Sequence, residues 1–226
     1  MSGTSYFRRL VVAALRAGAG LAHASFTVIT SQADFLGSVA APGQDSFDDL
    51  GAGVAGSPLV RLTGGPAYGY TVRSVFDGGS NLDDTFYNTR VGGDTWLTAN
   101  SSTNSVQFSN FSGGVKAIGG YLFATDIDGL LVPGQTLQLK VTDANNLTTT
   151  QTLVAGSASA FIGLVSTVPL QSLSFTSPSQ NPAINWPTVN DLILASPTAA
   201  VPELRSWALM LAGLGFVVLS TRRRRD

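Results

Sequence analysis

The sequence predicts an all-β protein, an antiparallel β-sandwich flanked by an N-terminal export segment and a C-terminal transmembrane helix. Three observations predict it. Short runs of Val, Ile, Phe, Tyr, Thr and Leu recur between clusters of Gly, Asn, Asp, Ser and Pro, the rhythm of strands and turns in a sandwich or barrel. Residues 136–141, TLQLKV, alternate polar and apolar, as a strand with one face on a core and one in water does. The body between the terminal segments is about 170 residues, long enough to bury one sizeable core as a single domain.

Strand candidates follow in chain order at 26–30, 67–76, 105–109, 115–125, 135–142, 148–154, 161–166, 170–176 and 189–194. Ser31, with Asp34 three residues on and Phe35-Leu36 behind it, reads as the capping signal of a short helix that Gly37 limits. Residues 40–65 are rich in Gly, Ala, Pro and Ser and carry Asp45, Asp48 and Asp49, so long connections are expected there. Asp143-Ala144-Asn145-Asn146 supplies turn chemistry between two strands and predicts a hairpin. The resulting division is a signal peptide at 1–24, a sandwich domain at 25–195, a spacer at 196–201 and a terminal signal at 202–226.

The N-terminus has the parts of an export signal: Arg8 and Arg9, a short apolar stretch at 10–15, and Ala22-His23-Ala24 as an A-x-A cleavage site before Ser25. Arg16 interrupts the apolar stretch, and the same residues also read as an amphipathic surface helix. At the other end, Pro202 breaks what precedes it and residues 207–220 carry no charge. As a helix they span about 20 Å at ~1.5 Å per residue, short of the ~30 Å bilayer core. Trp207 suits an interfacial anchor and Arg222, Arg223, Arg224 and Arg225 suit the cytoplasmic face, which puts the body outside. A buried core helix is the alternative, and four adjacent arginines directly after it oppose that reading.

Val201-Pro202-Glu203, Trp207-Ala208, Gly213-Leu214-Gly215 and the arginine cluster, in that order, resemble the PEP-CTERM sorting signal in its PEPxxWA form. The match covers about the last tenth of the chain, and Leu204 stands where the family has its second proline. The resemblance implies an exported protein of an exopolysaccharide-producing Gram-negative bacterium. It also implies an exosortase-type membrane protease as partner, a transient or permanent hold at the inner membrane, and delivery to the envelope, surface or extracellular matrix. The body is similar to the jelly-roll sandwiches that commonly precede this signal, through Phe47-Asp48-Asp49-Leu50, residues 115–120, 161–166 and 173–176, and Trp186 to Leu192.

Between residues 25 and 201 five basic residues face twelve aspartates, a net charge of −7 that the whole-chain value of −1 hides. Such a body lacks the basic face that nucleic acid requires. It also has no Glu, His or Cys: the single His is His23 and the single Glu is Glu203. That composition excludes Ser-His-Asp and Cys-His nucleophilic sites, thiolate or imidazole zinc sites, and a disulfide framework.

The remaining candidates are aspartates and aromatics. Asp126-Ile127-Asp128-Gly129 reads either as a turn pair or as a fragment of a calcium loop, since hard cations take carboxylate oxygen. The full EF-hand spacing is absent. Asp48-Asp49 and Asp83-Asp84 have the same standing. Calcium is thus the one candidate cofactor. Tyr68, Tyr70, Tyr87, Trp96 and Trp186 can stack on sugar rings where they point outward, with Tyr87, Trp96 and Trp186 the candidate carbohydrate-binding set; Tyr68 and Tyr70, at period two, share a face and suit the core. Asn100, Asn110 and Asn146 begin Asn-x-Ser/Thr triplets that read as polar turns.

The expected function is a structural or adhesive protein of exopolysaccharide or biofilm, without enzymatic activity. The alternative is a lectin-like carbohydrate-binding module with polysaccharide as partner, and a glycoside hydrolase-like enzyme comes third. Outward aromatics beside an Asp-rich loop favour the lectin; two aspartates converging in a cleft favour the enzyme.

Overall fold

The computed structural model describes residues 26–76, 84–155, 160–178 and 184–198. The expected signal peptide with its Ala22, Ala24 and Ser25 site, and the sorting signal with its 207–220 helix, lie outside these residues. Among the described residues no helix is long and apolar enough to cross a membrane.

Among the described residues strand follows strand, with one helix. In chain order the elements are β1 (Phe26–Ile29), α1 (Gln32–Ser38), β2 (Val39–Asp45), β3 (Gly53–Ala55), β4 (Leu59–Leu62), β5 (Gly69–Phe76), β6 (Phe86–Val91) and β7 (Asp94–Ala99). They continue as β8 (Asn104–Ser109), β9 (Ala117–Thr125), β10 (Gln135–Asp143), β11 (Thr148–Ala155), β12 (Phe161–Ser166), β13 (Leu170–Thr176) and β14 (Trp186–Pro197). An eight-stranded sheet runs β1-β12-β9-β14-β7-β6-β3, with β2 also paired to β14, and a six-stranded sheet runs β11-β10-β13-β8-β5-β4. The strand pairs are antiparallel, so the predicted antiparallel sandwich stands.

The core lies between the two inner faces. Leu137, Leu139, Val141, Leu173, Phe175, Val106, Phe108 and Val72 of the smaller sheet meet Ile118, Leu122, Ile162, Leu164, Leu97, Phe86, Val189 and Leu194 of the larger. In β10 the buried residues 137, 139 and 141 alternate with the exposed Gln138 and Lys140, as the sequence pattern requires. Asp143 closes the β10–β11 hairpin, its Oδ1 accepting the amides of Asn145 (2.8 Å) and Leu147 (2.9 Å).

The outer face of the larger sheet is covered at one end by α1. Ser31 caps this helix by accepting the Asp34 amide at 3.3 Å. Its Phe35 is fully buried against Phe161. Gly163 of β12 pairs with Gly119 of β9, and a Cβ on Gly163 would stand 2.4 Å from Phe35 Cδ2, so this glycine pair makes the dimple that seats the ring.

Three departures from the sequence reading concern strands. Residues 40–65 were expected to be connections, yet they hold most of β2 and all of β3 and β4. Pro42 and Gly43 obscure β2, whose pairing to β14 supplies order that local propensity does not. The β6–β7 hairpin was also not predicted, although Gly92-Gly93, both at positive φ, is a strong two-residue turn signal. Strand β14 runs to Pro197, two residues past the expected domain boundary, pairing Ser196 with Ala40 and Pro197 with Val39.

Candidate functional site

Register across three strands of the larger sheet builds one cleft on its outer face. Tyr87 of β6 lies opposite Thr98 of β7, and Thr98 opposite Thr188 of β14. Directly opposed residues share a face, and so does Trp186, two positions before Thr188. From a strand spacing of ~4.8 Å and a rise of ~3.3 Å per residue, the Cα atoms of Tyr87 and Trp186 are roughly 12 Å apart. The β9–β10 loop adds a wall with Asp126, Ile127 and Gly129, and Thr89, Ala99 and Asn100 complete an open cleft of about 370 Å³. Tyr87 is 45% exposed, so its ring is presented to solvent.

At the cleft floor Thr98 belongs to a run of buried hydroxyls. Thr188 Oγ1 lies 3.0 Å from Thr98 Oγ1 and 2.9 Å from Thr125 Oγ1, and it donates to the Trp186 carbonyl at 3.2 Å. With that proton placed, Thr98 and Thr125 both donate to Thr188, and all three hydroxyl protons are used. The floor therefore holds the β7–β14–β9 register under Trp186. Asn100 commits its Nδ2 to Thr85 Oγ1 at 3.0 Å, which leaves its Oδ1 as an acceptor at the cleft edge.

The loop wall is built rigidly. Asp126 Oδ1 accepts the amides of Asp128 (3.0 Å) and Leu130 (2.8 Å), and the Asp126 amide donates to the Leu130 carbonyl at 2.9 Å. Gly129 is required twice over: its φ is +74°, and a Cβ there would meet Thr89 Oγ1 at 2.4 Å. The loop thus lies against β6 and fixes the cleft width.

The candidate residues separate on this geometry. Tyr87 and Trp186 come together, and Asp126 joins them. Trp96 does not line the cleft. Its ring packs edge-on against the fully buried Phe123 at 4.8 Å, and its Nε1 donates to Asp94 Oδ2 at 3.3 Å. Tyr68 and Tyr70 belong to the core, as period two suggested. For the calcium expectation, one oxygen of Asp126 is spent on its own loop, Asp128 is exposed, and among the described residues no three His, Cys, Asp or Glu side chains converge as a metal cluster. Asn110 and Asn146 sit in left-handed turns, at φ 56° and 62°. Thr98, Thr188 and Thr89 were not singled out from sequence, because lone threonines in strands carry no local signal of shared address, and Asn100 was marked only as the start of a polar-turn triplet.

The early aspartates have structural work. Asp45 is 6% exposed and takes Arg61 through Nε and Nη2, both at 2.7 Å, while Asp49 binds the same guanidinium from the solvent side. Asp45 also accepts the Tyr70 hydroxyl at 2.7 Å and the Phe47 amide at 3.0 Å, and Arg61 lies 5.4 Å over the Phe47 ring. The hydrogen bond from Arg61 holds the Asp49 carboxyl below its ordinary range, and burial pushes the Tyr70 phenol far above its own. Asp191, at the β14 bulge, accepts from Gln44 Nε2 at 2.9 Å. Its carboxyl is raised, first by burial and then by the charges of Asp94 and Asp48.

No family model matches the sequence, and no characterised protein matches it. Among solved structures, the chain is similar to one described with the complexity of the Ruminococcus flavefaciens cellulosome and its expansion in glycan recognition. That match has 12% identity and a TM-score of 0.29, over 71% of this chain and 98% of the other. It is also similar to the CBM22-1 xylan-binding domain from Paenibacillus barcinonensis Xyn10C, at 12% identity and a TM-score of 0.30, over 69% of this chain and 94% of that domain. Likenesses this distant transfer no residue roles to this chain.

Proposed function

We propose that the chain is an exported, lectin-like carbohydrate-binding protein whose cleft stacks a glycan between Tyr87 and Trp186. The observation that carries this reading is the meeting of two outward aromatics with Asn100, Asp126, Thr89 and Thr98 in one open cleft. Flat apolar faces take the C–H face of a sugar ring, and a few placed oxygens orient its hydroxyls. We assign no catalysis: Asp126 is the one carboxylate among the described cleft residues, and glycoside hydrolysis uses two. This ranks the binding module above the purely structural matrix protein that the sequence alone favoured.

The sandwich is read as jelly-roll in type, and the setting follows from the chain's ends. Residues 207–220 hold the protein at the inner membrane, an exosortase-type protease recognises the region of Pro202, Glu203 and Trp207, and the module reaches the envelope or matrix.

The test is affinity electrophoresis of the purified full-length chain in gels carrying xylan, mixed-linkage glucan, galactomannan or dextran. Retardation by at least one neutral glycan is expected. Tyr87→Ala and Trp186→Ala are each expected to weaken it about 30-fold, the effect of losing an anchor worth ~2 kcal/mol. Retention of full binding by both variants would remove the cleft from the function. Absence of retardation in every gel would return the structural reading to first place.

A further inference from the structure

The outer face of the six-stranded sheet, on the opposite side of the molecule from the cleft, has a different chemistry. Its strands present Thr, Ser and Gln in cross-strand rows, and between β10, β13 and β8 they form a groove of about 340 Å³. Gln107, Gln138, Lys140, Thr150, Ser174 and Thr176 are among its lining. One row runs straight across five strands: Thr150 opposes Lys140, Lys140 opposes Ser174, Ser174 opposes Gln107 and Gln107 opposes Arg73. Three strand spacings of ~4.8 Å put Lys140 and Arg73 about 14 Å apart.

The charge on this face runs against the charge of the body. Arg73 and Lys140 are two of five basic residues in a body of net charge −7, and both are exposed. Neither has an ion-pair or hydrogen-bond partner among the described residues. Arg61, by contrast, is fully engaged by Asp45 and Asp49. The six strands contain a single carboxylate, Asp143, and it is fully buried in the β10–β11 turn. Lys140 thus lies in the groove and Arg73 at the end of the row that continues from it, and among the described residues neither cation has an acid as partner.

We propose that this groove, together with the cross-strand row that continues from it to Arg73, is a second binding site, for a carboxylate-bearing polysaccharide laid across the strands from Thr150 to Arg73. Lys140 and Arg73 meet carboxylates at two points of the polymer, and the intervening Ser174, Gln107 and Gln138 supply donors and acceptors to its hydroxyls. A hydroxyl-rich acidic polymer fits this mixture better than nucleic acid, which needs a denser basic surface than two residues on an acidic body. The site shares no residue with the Tyr87–Trp186 cleft, so it stands or falls independently. With both sites present, one molecule bridges a neutral and an acidic glycan.

The test uses the purified full-length chain in gels carrying polygalacturonate or dextran. Retardation by polygalacturonate is expected, falling as salt is raised, because exposed charge pairs are screened. Arg73→Gln with Lys140→Gln is expected to weaken it roughly tenfold, two exposed charge contacts of ~0.7 kcal/mol each. Lys140→Arg, which keeps the charge, and Tyr87→Ala, on the other face, are expected to retain it. An unchanged melting temperature shows that the double variant is folded. No retardation by polygalacturonate, equal retardation of the double variant, or loss of binding in Tyr87→Ala would each overturn the proposal. Equal competition by duplex DNA would replace it with unspecific anion binding.

Discussion

Removing the charge of Asp45 should loosen the whole corner where β2, β4 and β5 meet. Asp45 is 6% exposed and receives four donors: Arg61 Nε and Nη2, the Tyr70 hydroxyl and the Phe47 amide. Asp45→Asn keeps the shape of the side chain. It leaves the Arg61 guanidinium, whose side chain is 10% exposed, with Asp49 as its remaining counter-charge. Breaking a buried pair from one side costs about 3–5 kcal/mol, and the surviving Asp49 contact places this case near 3. For a domain of this size each kcal/mol moves the midpoint by about 2–4 °C, so a fall of roughly 6–12 °C is expected in thermal unfolding followed by circular dichroism at pH 7. Asp49→Asn is the control: its side chain is 69% exposed, and the loss should stay under about 1 kcal/mol. Asp45→Asn combined with Arg61→Met, which replaces both charges and keeps a stem over Phe47, should recover much of the loss. A fall below about 2 °C for Asp45→Asn, or equal falls for both single variants, would refute the buried-pair reasoning.

Three further outcomes are expected. Gly129→Ala should lower stability by about 2–3 kcal/mol, from its left-handed backbone and the 2.4 Å approach to Thr89 Oγ1; Thr89→Ala in the same chain should restore the steric part only, read by midpoint. Gly163→Ala should cost about 1–3 kcal/mol by unseating Phe35, and Phe35→Leu should lessen that penalty, also read by midpoint. Asp191 has a raised folded-state pKa, so its ionised form opposes folding above that value, and the opposition fades as pH falls toward the ordinary 3.8. Asp191→Asn should therefore raise the midpoint at pH 7, with the gain vanishing near pH 3; a gain that persists in acid would point to a cause other than charge.

Much of the fold was legible locally. The alternation of residues 136–141, the capping Ser31 and the turn at Asp143 each became the predicted feature, because each is decided within one strand, one helical turn or one loop. β2 and β3 were not legible: their Pro, Gly and Ala content argues against strands, and pairing with distant partners overrides it; β4, Leu59–Leu62, has strand-like residues but is only four long and sits between Pro58 and Gly64 in a Gly- and Pro-rich stretch. The site was half legible. Residue type marked Tyr87, Trp96 and Trp186 as able to stack on sugars, but it did not tell which of them share a surface.

By itself the sequence determined the class: an acidic, cysteine-free β-rich body with no His or Glu for common catalysis, bearing terminal segments that read as addresses. Tertiary structure decided the rest through register. Thr98 and Thr188 are 90 residues apart, yet their hydroxyls meet at 3.0 Å and set Trp186 beside Tyr87, while Trp96 of the same strand is drawn against Phe123. In the same way Lys140 and Arg73, 67 residues apart in the chain, fall on one cross-strand row. A strand's own pattern says which residues face the same way. Which strands lie side by side, and at what offset, is settled by packing the two sheets around a common core, and that information is spread over the whole chain.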